Sequence, residues 1–317
     1  DSAKSMAISG LSEVGRNQFG VFPLKGKIMN VRDMNVKRIN ENDEISNLKK
    51  ILGLESNKKY ENTNELRYGR IMVLTDADTD GSHIKGLLFN LFSSLWPSLL
   101  LNTERSFITS MMTPIVKVTK GKQNIPFYNL TSYDNWKNNN ENGKGWEIKY
   151  YKGLGTSTNK EAKEYFKNMQ TLEYVWDMES SEESMSLAFD KKRSDDRKQW
   201  LYNYDKQNVL DDLLETTHKI EYSQFVSKEL IHFSNYNLER SIPSICDGLK
   251  KSLRKILFCC LKRKLYKEIK VAQLAGYVSE HGAYHHGEAS LHEAIIGMAQ
   301  DFVGSNNLNV LMPNGQF

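Results

Sequence analysis

The chain has 317 residues, 26% of them charged and 39% hydrophobic, with a formal net charge of +4. That length accommodates two or three domains, each with its own core, and no apolar stretch is long and unbroken enough to read as a bilayer-spanning helix. So small a net charge decides nothing about partners; the distribution of charge along the chain matters more. Cys246, Cys259 and Cys260 form no C-x-x-C pair and match no zinc or disulfide spacing, which points to a reduced intracellular compartment. The start at Asp1 has neither a signal peptide nor a targeting arm and, lacking an initiator Met, reads as the interior of a longer protein.

Up to about residue 120, short apolar runs alternate with helical patterns, as in an α/β unit built on a parallel sheet. Residues 44–52 are expected to be helical, and Ile71-Met72-Val73-Leu74 reads as a buried strand. An apolar helix is expected over residues 86–101. Residues 121–219 read as an α+β connector. Within it, the Asn-rich stretch 138–145 is expected to be a loop disordered at its tip. A strand at 146–151, the turn Lys152-Gly153-Leu154-Gly155-Thr156-Ser157 and a charged, mostly helical segment over 179–212 follow. From residue 220 to 317 the pattern changes to helices joined by tight turns at Asp247-Gly248, Gly276, Gly282 and Gly287, with no internal repeat.

The stretch that carries most chemistry is Asp76-Ala77-Asp78-Thr79-Asp80-Gly81-Ser82-His83, where the strand gives way to a loop. Two carboxylates about 4 Å apart repel by about 4 kcal/mol at an effective dielectric of about 20. Three placed together call for a cation, and hard oxygen ligands suit Mg²⁺ or Ca²⁺. An EF-hand calcium loop opens with the same spacing, but it needs a Glu at its twelfth position and a helix before it. Here the twelfth residue is Leu87 and a strand precedes, so that reading fails. The other charge feature is basic. Lys250, Lys251, Arg254, Lys255, Lys262, Arg263, Lys264, Lys267 and Lys270 accompany an apolar stripe of Leu253, Ile256, Leu257, Cys260 and Leu261 at three- and four-residue spacing. With Tyr284-His285-His286-Gly287 and a second helix behind it, this resembles a helix-turn-helix with a phosphate-reading surface, although a solvated helix face is the plainer reading of such charges.

The ordered motifs resemble the type IIA DNA topoisomerases. Asp76 to Gly86 looks like the metal motif of their Toprim domain, and Asp1-Ser2-Ala3-Lys4-Ser5 like the end of its first motif, Glu-Gly-Asp-Ser-Ala. Pro23-Leu24-Lys25-Gly26-Lys27-Ile28-Met29-Asn30-Val31 and Tyr150-Tyr151-Lys152-Gly153-Leu154-Gly155-Thr156-Ser157 follow in the family's order. So do Asp195 to Trp200, Ser241-Ile242-Pro243-Ser244 and Ala283 to Glu288. Joining of the Toprim and winged-helix parts on one polypeptide resembles the eukaryotic branch, with large DNA viruses as a second possible source.

The resemblance implies an α/β Toprim domain over 1–120, the connector over 121–219 and a mainly helical, incomplete winged-helix domain over 220–317. It implies a homodimeric, ATP-dependent enzyme that acts on double-stranded DNA, with no membrane association, located in the nucleus or, if viral, in host cytoplasm, viral factory or virion. Asp76 and Asp78 are then Mg²⁺ ligands, with Asp80 completing the site or lying just behind it. Lys27, Asn30, Arg197 and Lys198 match DNA-contacting positions near the metal, and Arg240, Lys250, Tyr284, His286 and Ser290 match those of the winged helix. The family's catalytic Glu and nucleophilic Tyr are expected outside these residues, and ATP on a domain outside them, so this stretch alone is expected to bind but not to cut.

Plainer roles compete at several positions. Lys27 and Lys250 also fit solvated surface lysines and Tyr284 a core aromatic, while Ser290-Leu291-His292-Glu293 has the pattern of a helix capping box. His285 and His286 lack a third ligand at useful spacing, which favours phosphate contact over metal. Lys251 stands where the family usually has Pro, relaxing the start of that helix. Two other functions stay open: another Toprim enzyme, such as a primase or an OLD-type nuclease, and a non-catalytic DNA-binding module on a Toprim scaffold.

Overall fold

The computed structural model describes residues 2–101, 105–151, 153–210, 218–284, 286–301 and 308–314. They form two compact units, divided between Ser234 and Asn235.

The first unit opens with α1 (Ser2–Val14), α2 (Val36–Asn40) and α3 (Asp43–Leu52), the last capped by the Asn42 side chain and ended by Gly53 at φ 76°. Strand β1 (Ile71–Val73) leads into α4 (Thr79–Leu95), which returns the chain to β2 (Ile108–Met111) in parallel register, Ile71 opposite Ile108. Then come β3 (Val116–Lys120), β4 (Gln123–Phe127), α5 (Leu130–Asn139), β5 (Glu147–Tyr150), α6 (Asn159–Lys167) and β6 (Thr171–Val175). Helices α7 (Ser180–Phe189) and α8 (Ser194–Tyr202), strand β7 (Lys219–Glu221), the short helix α9 (Tyr222–Phe225) and a π-helical turn (Val226–Leu230) complete it.

The main sheet has the order β1-β2-β6-β7 and is mixed. Its β1–β2 and β6–β7 pairs are parallel, as the α/β pattern suggests, but β6 runs antiparallel to β2 with Ser110 opposite Leu172. Helix α4 is the hub of the core. Leu87, Leu88, Phe89, Leu91 and Phe92 are all buried, so the helix is apolar around most of its circumference. Phe89 packs against Tyr174, Tyr222 and Phe225 with ring centroids 4.5, 4.9 and 4.8 Å away. The helix begins at Thr79, earlier than its apolar run suggests, because Asp78 caps it, and it stops at Leu95 rather than at residue 101. Pro97 accounts for the stop: a residue before proline is pushed out of the helical region, and Trp96 sits at φ −141°, ψ 57°.

A second, antiparallel sheet, β4-β3-β5, has a small core of its own, with Val116, Val118, Phe127 and Tyr133 backed by Trp136 and Trp146. The Asn-rich stretch expected to be disordered is ordered here. A short 3₁₀ turn (Glu141–Gly143) follows α5, with Asn142 at φ 56° and Gly143 at φ 77°. Asn and Gly are the residues that tolerate left-handed backbone, so the composition marks a turn. The Trp136–Trp146 contact, 5.2 Å between centroids, closes it.

The compact unit runs past the change in composition near residue 220. Ile220, Tyr222, Phe225, Val226, Leu230 and Phe233 all belong to the core built around α4. The second unit holds most of α10 (Ile231–Ser241) together with α11 (Lys251–Lys262), α12 (Val271–His281) and α13 (Glu288–Ala299). Its core is Ile256, Cys259, Leu274, Val278, Leu291, Ile295 and Met298, with Tyr284 packed beside them. Gly276, expected to mark a turn, lies inside α12, and α12 separates the basic α11 from α13, the second helix of the expected helix-turn-helix. Among the described residues this unit contains no strand.

Candidate metal centre and nucleic-acid interface

Four stretches far apart in sequence meet at the end of β1. Asp76 Oδ1 accepts a hydrogen bond from the Leu154 N–H at 2.7 Å, which fixes the glycine turn onto the first aspartate. Two missing side chains make room for this. A Cβ on Gly153 would lie 2.8 Å from Asp76 Oδ1, and one on Gly155 would lie 2.8 Å from Ser2 Oγ. The turn is therefore pinched between the aspartate loop and the start of α1, while buried Leu154 anchors it in the cluster formed by Met6, Ala7, Ala162 and Phe166. Gly10 lets α1 and α6 close up behind it, since a Cβ there would come within 2.2 Å of the Phe166 ring.

The other two aspartates are placed by α4. Asp78 is its N-cap, with Oδ1 accepting from the Gly81 N–H at 2.8 Å. Gly81 has no alternative, because a Cβ there would sit 2.1 Å from the Asp76 carbonyl oxygen. Asp80, in the first helical turn, pairs with Lys27 Nζ at 2.6 Å. Lys27 in turn lies 4.5 Å above the Phe233 ring, against which His83 also stacks at 3.9 Å. Beneath the loop, Lys85 forms an ion pair with Glu229 on the π-helical turn, and Ser82 Oγ donates to the same carboxylate at 2.7 Å. Burial alone would lower the Lys85 ammonium, but the Glu229 charge outweighs it and holds the lysine firmly protonated.

The spacing of the three aspartates implied a shared cation, yet their mutual repulsion is relieved by three different donors: a turn amide, a helix amide and a lysine. Among the described residues, no group of three or more His, Cys, Asp or Glu side chains is arranged to hold a metal. What fits a cation is narrower. Asp76 and Asp78 each commit one carboxylate oxygen to a backbone N–H, leaving the second oxygen of each available. Mg²⁺ keeps several of its waters and needs only one or two protein carboxylates, so this donor set suits it.

The expected DNA-contacting residues divide in two. Lys27, Lys198, Lys250, His286 and Ser290 are exposed, and Arg240 is half-buried, lying on the Tyr236 ring at 5.0 Å. Lys198 is held by Asp195 at 2.6 Å, and Lys250 stands at the N-cap of α11 with no side-chain cap bond. The others are engaged within the protein, Asn30 while still exposed. Asn30 donates to the Phe189 carbonyl at 2.8 Å and accepts from Asn90 Nδ2 at 2.7 Å. Arg197 donates to the carbonyls of Leu187 and Asp190 at 3.1 and 2.5 Å, closing the end of α7. Tyr284 is buried, its ring edge-on to His286 at 5.4 Å, and burial pushes its hydroxyl pKa up. Ser290 is not the cap its sequence suggests. Gly287 holds the N-cap of α13, and Ser290 lies inside the first turn. His285, half of the considered histidine pair, lies outside the described residues.

Several positions escape a reading of the sequence: the Leu154 amide, Glu229, and Glu161 behind the glycine turn. Only Gly81 and Gly153 carry a local signal, as turn glycines beside charged residues.

An aspartate loop and glycine turn on a mixed sheet, followed by a separate helical unit, is also the order of parts found among known proteins. Family models match in that order: the Toprim domain over residues 2–111, the C-terminal associated domain of Toprim over 111–238, and the A subunit of DNA gyrase/topoisomerase IV over 240–317. Over its whole length the chain is homologous to eukaryotic DNA topoisomerase 2, at 56% identity to that of Arabidopsis thaliana and 52% to topoisomerase 2-alpha of Homo sapiens. All of this chain aligns in both cases, covering 22% and 21% of the relatives' length. The Plasmodium falciparum topoisomerase II DNA-binding, cleavage and re-ligation domain superposes with a TM-score of 0.84 at 50% identity, covering all of this chain and 43% of that one. These relatives are cellular eukaryotic enzymes. Among the described residues, no helix is long and apolar enough to cross a membrane.

Proposed function

We propose that this chain is the DNA gate of an ATP-dependent type II topoisomerase. In the parent homodimer, both strands of one duplex are cut through 5′-phosphotyrosine links, a second duplex passes, and the break is resealed. Because the tyrosyl ester conserves the bond energy, the chemistry is transesterification. The nucleophilic Tyr, the Toprim Glu and the ATP site belong to other parts of the parent, whose place is the nucleus. A Toprim domain (1–120) and a connector belong to the same proposal, with the winged-helix domain beginning after the first compact unit closes at Ser234 and not at 220.

Asp76 and Asp78 are the residues to hold Mg²⁺, with Asp80 behind them. The ion, when bound, stabilises negative charge on the phosphate and the leaving 3′ oxygen. Contacts to the phosphate backbone come from Lys27 and Lys198 in the first unit, beside Asn30 and Arg197, and from Arg240, Lys250, His286 and Ser290 in the second, beside Tyr284. The observation that carries this reading is the Leu154 amide on Asp76, with Gly153 and Gly155 clearing space toward Asp76 and Ser2. A glycine turn so tightly fitted to a strand-end carboxylate holds that carboxylate still, as a metal ligand requires.

The dispersal of the three aspartates onto separate donors favours one rival, a DNA-binding module that keeps the scaffold without the metal. Plasmid relaxation by the full-length parent separates the two. Asp76→Ala and Asp78→Ala are each expected to abolish Mg²⁺-dependent relaxation while leaving DNA binding largely intact. Normal relaxation by either variant contradicts the metal assignment.

A further inference from the structure

Glu161 lies in the first turn of α6, outside the aspartate loop, yet it collects hydrogen bonds from both flanks of the glycine turn. From the strand side, Lys149 Nζ reaches both of its oxygens at 2.9 Å and the Tyr151 hydroxyl donates at 2.5 Å. From the helix side, the Thr158 N–H donates at 2.7 Å and the Thr158 hydroxyl at 3.0 Å, completing a capping box. An ordinary capping box ties down only its own helix start. This one also captures the residue before the turn and the end of β5, so a single carboxylate clips together the two ends of the segment carrying Gly153 and Leu154.

The carboxylate is well suited to a permanent clip. Burial alone would raise it, but the Thr158 amide, the Tyr151 hydroxyl and the Lys149 ammonium outweigh burial, and it is pulled down to about 2. It therefore stays ionised throughout the range in which an enzyme works. Among its described residues, the clipped segment reaches the aspartate loop through the Leu154 N–H on Asp76 Oδ1. That bond takes one oxygen of Asp76 and orients the other.

We propose that Glu161 is a positioning residue for the metal centre: it sets the glycine turn so that the Leu154 amide orients Asp76 toward the cation. This inference rests on the metal reading above and goes beyond it, because the partners of Glu161 are Lys149, Tyr151 and Thr158 and not the aspartate loop. Removing partners that orient a ligating carboxylate typically weakens metal affinity about 10- to 100-fold.

The test uses Mn²⁺ as probe, with its binding to the full-length protein followed by electron paramagnetic resonance. Glu164→Gln is the control. Glu164 sits on the same helix and pairs with Lys117 at 3.4 Å, but has no bond to the glycine turn. Glu161→Gln is expected to raise the Mn²⁺ Kd at least about tenfold and to speed hydrogen exchange at the Leu154 amide. Glu164→Gln is expected to leave both within about twofold, since the Glu164 carboxylate is half exposed and such partly solvated pairs contribute little. If Glu161→Gln does not fold, Tyr151→Phe carries the expectation, because it removes one bond to the same carboxylate and should weaken Mn²⁺ about threefold, a smaller step in the same range of orienting effects. A folded Glu161→Gln protein with wild-type Mn²⁺ affinity overturns the proposal, and so does an equal loss in Glu164→Gln. Wild-type protein that takes up no Mn²⁺ overturns the metal reading along with it, an outcome distinct from unchanged affinity in the variant alone.

Discussion

The demand for a glycine is set by distance at Gly153, whose backbone is extended and open to any residue. The obstacle is the Asp76 carboxylate 2.8 Å from a would-be Cβ. Gly153→Ala must push either the turn or the aspartate aside, and such overpacking costs about 1–3 kcal/mol. The variant should show that loss in urea unfolding together with at least a tenfold fall in Mg²⁺-dependent relaxation. Loss of stability with full activity would mean that the turn is only scaffolding. Glu161 gives a pH signature. Its folded carboxyl lies near 2, below the ordinary 4.5, so the unfolded chain takes up its proton first as the solution is acidified. The contribution is then complete above the unfolded value and drains away as pH falls toward the folded one. Denaturation midpoints between pH 6 and 3 should therefore decline less steeply in Glu161→Gln than in wild type, and parallel curves would deny the carboxylate its hydrogen-bonded state.

At the scale of elements, two basic residues expected to act alike separate. Arg197 spends its guanidinium on the end of α7, whereas Lys250 stands exposed at the start of α11. Lys250→Ala should leave the melting temperature unchanged and flatten the salt dependence of DNA binding by about one unit of slope. Arg197→Ala should lower the melting temperature, because it takes the guanidinium from the Leu187 carbonyl at a helix end and leaves the Asp190 carbonyl with the Arg193 N–H at 3.2 Å. Salt titrations of DNA binding beside thermal melts distinguish the pair, and a reversed pattern would exchange their roles. The difference was not legible in the sequence, where both are basic residues beside matching motifs. Helix α3 was legible, since Asn42 and Gly53 bracket it. The limits of α4 were not, because its start depends on Asp78 turning back to cap Gly81, and its apolar run continues past the proline that ends it. Ser290 misled for the converse reason: a capping pattern is local, whereas the start of α13 is fixed at Gly287.

Across the whole molecule, the order of motifs carried more than any single one. The aspartate run alone suggested one shared cation, but its carboxylates reach three different donors, and only the fold reveals which of their oxygens remain available. The mixed sheet was equally hidden, because β6 and β7 join β1 and β2 through pairings that span much of the chain. What local patterns do record is the glycine turn and the basic helix, each of which needs particular residues at short range. The central claim is that Asp76 and Asp78, steadied by the Leu154 and Gly81 amides, hold a divalent cation. Anomalous diffraction from crystals of the protein grown with DNA and Mn²⁺ tests it most directly. The account predicts a peak about 2 Å from oxygens of both carboxylates, the distance of a small octahedral divalent ion. A fully occupied peak elsewhere, with both side chains bare, would contradict it.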